Sequence, residues 1–304
     1  MKTMIRPKEM ADRMTEGSPG KGGEEDTSGW DFNVYVKPRD PTTTDLGKEN
    51  YQPVGRCIYC GNTDDLRREH VIPYALGGRM VLQKATCKTC ADITSEFEGD
   101  VLRGPFRAVR AFRGLGSRSG FSGMPEAEEV TVSGDSEQDS VVEVPREDMP
   151  LLLPFPLFAP PGYFSQQTDM SGITVSGMAT VRFGPDPGDL VKSLGAKSVN
   201  ITKDCKPVAF ARLLAKVAYG VAFARGQIDK IEGECFVLPA ILGTRDDIGC
   251  WVGTLTKGFE CHPEFLHRAD LHIDESRGLL FGEVQIFADS QTPTYGVVLG
   301  KLKT

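Results

Sequence analysis

Two Cys-x-x-Cys pairs, Cys57-Ile-Tyr-Cys60 and Cys87-Lys-Thr-Cys90, constrain this chain more than any other feature. Each pair forms a tight knuckle that turns two thiolates toward one point. Two knuckles complete a tetrahedral four-sulfur shell, the preferred structural site for zinc. Gly61 follows Cys60 directly and eases the turn there. The other four cysteines, Cys205, Cys235, Cys250 and Cys261, are scattered and read as buried thiols. Cys261, His262 and His267 lie close in sequence but bring no paired ligand spacing, so they read as structural or surface groups.

The 26 residues between the pairs contain Leu66-Arg-Arg-Glu69-His70-Val-Ile-Pro73-Tyr-Ala-Leu-Gly77-Gly78. A strand ends at Glu69-His70, Pro73 enforces an extended loop, and Gly77-Gly78 turns the chain. Met80-Val81-Leu82 returns as a second strand. After Cys90, Ile93, Phe97 and Val101 recur every fourth residue, the stripe of a helix. The order is strand, loop, strand, helix, clamped at both ends by knuckles.

These residues resemble the HNH endonuclease family, in the branch with a Cys-x-x-Cys pair on each side and a Glu-His-x-x-Pro strand end. The resemblance covers Cys57 to Leu102. It implies a ββα-metal fold and metal-dependent hydrolysis of nucleic-acid phosphodiesters, with DNA the expected partner. Carried onto this chain, it makes His70 the general base and Glu69 the first ligand of a catalytic Mg²⁺ or Mn²⁺. Many members place His or Asn after the last cysteine as a second ligand, where this chain has Ala91. The family's middle Asn falls at Leu82. Asp92 and Glu98, on the following helix, are the candidate replacement ligands. The competing expectation is a non-catalytic zinc module that binds nucleic acid or a protein partner.

The chemistry suits the pair. An imidazole neutral near pH 7 accepts the proton of an attacking water. A hard carboxylate suits Mg²⁺ or Mn²⁺. Beyond the helix, Arg103, Arg107, Arg110 and Arg113 are the candidate phosphate contacts, the last three recurring on one helical face. Residues 55–120 carry eleven basic against seven acidic residues, a net +4. The net charge of the whole chain is −7, leaving −11 elsewhere. A basic module within an acidic chain fits a phosphate-facing surface.

The fold class expected is α+β: a small zinc-stabilised ββα-metal module at 55–120, then an α+β domain at 151–304 with mainly antiparallel strands. Residues 1–54 read as a disordered or loosely packed arm, with Trp30 to Tyr35 able to dock as one strand. Residues 121–150, with nine acidic residues and one arginine, read as a linker. Leu151 to Phe164 is apolar and proline-rich, an extended segment lying on a domain surface. Ile173–Phe183 alternates as a strand and Pro207–Ala224 reads as a largely buried helix. Strands are expected at Cys235–Leu242, Cys250–Leu255, Leu271–Ile273, Leu279–Phe287 and Tyr295–Leu302. With neither a signal peptide nor a run of roughly 20 apolar residues, a cytoplasmic protein without membrane contact is expected.

Overall fold

Apolar alternation along residues 267–301 produces the three long strands of a five-stranded antiparallel sheet in the computed structural model. The model describes the backbone of 34–36 and residues 51–116, 126–134, 139–200, 205–255 and 259–303. These fall in one unit, Asp31–Thr304. The expected arm at 1–54 lies mostly outside the described residues.

The strands are β1 (Val34–Val36), β2 (Arg67–His70), β3 (Val81–Thr86), β4 (Ala127–Ser133), β5 (Ser140–Pro145) and β6 (Leu151–Phe158). They continue with β7 (Val175–Phe183), β8 (Ser198–Asn200), β9 (Val252–Thr254), β10 (His267–Asp274), β11 (Leu279–Ile286) and β12 (Thr294–Lys301). Four helices matter here: α1 (Lys88–Leu102), α2 (Arg107–Phe112), α3 (Pro187–Ser193) and α4 (Pro207–Ala224). The main sheet has the order β1-β10-β11-β12-β9, so β1 supplies the short edge strand expected near Tyr35.

Helix α4 is the centre of the molecule. Pro207 occupies its first turn, where a missing N–H costs nothing. Thirteen of its eighteen residues are buried, because it packs on opposite sides at once. One side lies on β10, β11 and β12, where a Cβ at Gly282 would come within 2.8 Å of the Ala218 Cβ. The other side meets the 57–102 segment. The Tyr219 hydroxyl donates to the Ile58 carbonyl, and Gly220 lets Val71 approach its backbone. By length and composition α4 resembles a membrane span, but 72% of it is buried inside the protein. That burial makes it a core helix.

One apolar core therefore runs through the knuckles, α1, α4 and the main sheet. Phe106, just before α2, packs against Phe155, Phe210 and Phe287 from three other parts of the chain.

Four stretches differ from expectation. The acidic segment expected as a linker holds β4 and β5, a hairpin joined by β8. Val130, Val132 and Val144 alternate with its charged residues and form a small core with Met149 and Leu190. Period-two burial thus decides its structure despite the charge. The proline-rich segment is extended, but as β6 it buries Leu153, Phe155 and Phe158 rather than lying on a surface. Cys235–Leu242 ends in a helical turn, Leu238–Ile241, where Pro239 lacks the donor a central strand needs. Residues 250–255 are half helical turn (Ile248–Trp251) and half strand (β9).

His267 ties the sheet to the loop before β3. Its Nδ1 accepts from the Phe287 N–H at 2.9 Å, so its Nε2–H donates to the Leu76 carbonyl at 2.8 Å. Complete burial lowers its pKa to about 3, against 6.5 ordinarily. Between those values the unfolded chain binds the proton and the folded chain does not, so stability falls as pH falls through that window. Replacing His267 by Gln should flatten this response. Denaturant unfolding should show the unaltered protein losing about 2 kcal/mol more than His267→Gln between about pH 7 and pH 5.

Candidate functional site

Strand β2 presents its last residues to opposite sides, following the alternation of a pleated strand. Glu69 points inward and is 5% exposed, whereas His70 is partly exposed at the strand end. Across the ladder, Glu69 faces Leu82 and His70 faces Val81. The following loop is held by a short helical turn, Tyr74–Leu76, and closes at Gly77 with φ 82°. Gly78 admits no side chain, because a Cβ there would lie 1.9 Å from the Ile72 carbonyl oxygen. The His70 ring meets Tyr74 edge-on at 5.9 Å between centroids.

The zinc knuckles are assembled as expected. The sulfurs of Cys57, Cys60, Cys87 and Cys90 all lie within 4.8 Å of one another. A tetrahedron with bonds of about 2.3 Å has edges of about 3.8 Å, and the Cys60 and Cys87 sulfurs are 3.6 Å apart. Gly61 has φ +75° and its N–H closes the first knuckle on the Cys57 carbonyl at 2.9 Å. The Ile58 N–H bonds to the Ala85 carbonyl at 2.8 Å, fixing that knuckle to β3. Burial raises the Cys57 thiol, but backbone N–H groups of Cys87, Cys60 and Tyr59 aimed at its sulfur bring it down to about 7. Sulfur number and spacing fit zinc.

The arrangement around Glu69 was not foreseen. Lys216, from the middle of α4, inserts its ammonium between two carboxylates. Its Nζ lies 2.6 Å from Glu69 Oε1 and 2.6 Å from Glu98 Oε1, and it donates to the His70 carbonyl at 2.8 Å. One of its N–H groups goes to the His70 carbonyl, and the two carboxylates stand at ion-pair distance. The side chain is 2% exposed. Burial alone would lower its pKa, but the charges of Glu69 and Glu98 more than offset this and hold it above the ordinary lysine value. Tyr59 closes the pocket as a neutral phenol, its pKa pushed well up by burial and by the same two carboxylates.

The structure thus brings Glu98 to Glu69, but leaves Asp92 exposed and paired with Lys88 at 2.5 Å. At Glu69 the place of a divalent ion is already taken by a cation, and the neighbouring positions add no ligand. An ammonium already contacts the carboxylate, Leu82 is buried and apolar, and Ala91 offers no ligand. The sequence signal for Lys216 was available: with Arg212, it is one of two charged residues in a helix otherwise apolar from Pro207 to Ala224. A charge in a helix buried on several sides needs a partner. The two are one turn apart, and Arg212 also serves α1, stacking over the Phe97 ring at 4.5 Å.

The arginine row divides. Arg103 is exposed and Arg107 half-buried. Arg110 is instead buried, donating to the carbonyls of Ala75, Leu102 and Gly116 at 2.7, 2.7 and 3.1 Å. Arg113 pairs with Asp289 at 2.6 Å, donates to the Ser290 hydroxyl and lies over Phe183 and Phe287. These two guanidinium groups hold the fold together rather than face a phosphate. The helix of six residues is too short and too deeply packed to show three arginines on one solvent face.

Cys261, His262 and His267 form no ligand group among the described residues. Asp270, His272 and Glu283 do place their donor atoms within 4.8 Å of one another, but the Arg268 guanidinium already contacts Asp270.

Residues 57–100 match the family model described as HNH endonuclease, the family whose motif the knuckles and the Glu69-His70 strand end display. The search of curated proteins and the search of solved structures returned no match.

Two outcomes are expected. Elemental analysis should find about one zinc per chain, and Cys60→Ser should lose it together with protease resistance at 57–102. Arg110→Ala should destabilise by roughly 3 kcal/mol or more, since it removes charged donors from buried carbonyls. Arg103→Ala should leave the unfolding midpoint unchanged.

Proposed function

We propose that the chain is an HNH-type endonuclease that hydrolyses phosphodiester bonds of nucleic acid, DNA foremost, with His70 as general base. The observation that carries this reading is the partly exposed His70 at the end of β2, within a segment that matches the HNH endonuclease family. In-line attack on phosphorus forms a new P–O bond from a water whose proton is removed, while the P–O bond on the opposite side breaks and its sugar oxygen departs, taking a proton from solvent. An imidazole at the rim of the module can accept that proton, and typically contributes on the order of 10²–10⁴-fold. The Lys216 bond to the His70 carbonyl holds the strand end, so the ring has a fixed base. Arg103 and Arg107, the two of the row not engaged in holding the fold, are the guanidinium groups for the phosphate oxygens. The Mg²⁺ or Mn²⁺ that the family resemblance implies has no step here, because Lys216 already holds Glu69.

That same ion pair, with Ala91 and Leu82, favours a second reading: a zinc-stabilised module that binds nucleic acid or a protein partner without cutting. A cleavage assay separates the two. The zinc-loaded full chain should cut single- or double-stranded DNA or RNA, and His70→Ala should cut about 10²–10⁴-fold more slowly. The variant should keep its zinc and its affinity. Binding without cleavage on every substrate would select the second reading, and equal rates for the two proteins would remove His70 from the mechanism.

A further inference from the structure

We propose that the Lys216 ammonium stands in for a divalent ion at the Glu69 carboxylate, so that the module is built around a resident organic cation. The inference takes the HNH reading of the site as its starting point, but it does not require cleavage.

Three observations converge. The ammonium sits where the hard oxygens gather, 2.6 Å from Glu69, 2.6 Å from Glu98 and 2.8 Å from the His70 carbonyl. That is an all-oxygen set of the kind that suits Mg²⁺, Mn²⁺ or Ca²⁺. Next, the neighbouring positions able to complete an ion's shell hold groups that cannot: Ala91 has no donor, Leu82 is apolar and buried, and Asp92 is turned away to Lys88. Finally, Lys216 comes from α4, outside the 57–100 segment, and is nearly inaccessible. It is part of the core of the chain, and an ion could displace it only by leaving an ammonium buried without partners. Breaking a buried pair in that way is strongly unfavourable.

Lys216 then acts as a positioning residue. Its charge keeps two buried carboxylates together, and one N–H fixes the backbone at His70. Removing the ammonium without removing bulk leaves two carboxylates and a carbonyl facing one small space, which a divalent ion can fill.

Manganese titration of the zinc-loaded full chain tests this, with free Mn²⁺ followed by electron paramagnetic resonance. The unaltered protein should leave the free Mn²⁺ signal undiminished. Lys216→Met should take up about one Mn²⁺ per chain by the all-oxygen argument, and adding Glu69→Gln should abolish that uptake. Lys216→Arg, which keeps a cation, should bind none. Mn²⁺ uptake by the unaltered protein that disappears in Glu69→Gln would overturn the proposal. So would a folded Lys216→Met, with full zinc and native circular dichroism, that binds no Mn²⁺. If Lys216→Met does not fold, the unaltered protein and Glu69→Gln decide the matter alone. None of these readouts depends on cutting, so a protein that cleaves nothing can still bear the proposal out, and a cleaving one can still refute it.

Discussion

The Lys216 ammonium ties the knuckle-bearing segment to the core helix of the described residues. Lys216 leaves a largely apolar, buried helix and ends between Glu69 and Glu98. Desolvating these three charges is costly, and their attraction offsets the cost only when geometry and hydrogen bonds are complete. That demand fixes much else. The end of β2, the middle of α1 and the register of α4 against both must agree within the reach of one side chain. Arg212, one turn earlier, repeats the arrangement on Phe97, so α4 is pinned to α1 at two successive turns.

The same economy governs other charged groups. Arg110 supplies donors to carbonyls of three separate stretches, at Ala75, Leu102 and Gly116. Arg113 links α2 to the turn after β11 through Asp289. His267 reaches back from the main sheet to Leu76. Each ties a loop of the knuckle-bearing segment to a part of the chain far away in sequence. A small two-strand, one-helix module has little core of its own. Here it is supported by zinc ligands on one side and by the buried face of α4 on the other. Its basic composition therefore overstates the surface available to a phosphate backbone.

What the sequence by itself determined was local. Knuckle spacing, the Pro73 loop, the paired glycines and the four-residue stripe of α1 are governed by short-range geometry. All four therefore read correctly from one stretch of chain, as did α4, β11 and β12, whereas β10 was read only at Leu271–Ile273. The family match over 57–100 rests on the same local pattern. Composition misled where periodicity should have ruled: the acidic β4–β5 hairpin hides its valines at every second position.

Only the tertiary structure decided which charges remain available for chemistry. Arg107, Arg110 and Arg113 look alike at intervals of three, yet neighbours more than thirty residues away bury one and engage another. Glu69 looks like a metal ligand until a lysine 147 positions later meets it. Local pattern sets where a side chain leaves the backbone. Whether its charge faces water, an ion or another side chain depends on what long-range packing places opposite it, because the strength of a charge interaction is set by burial and by the nearest partner.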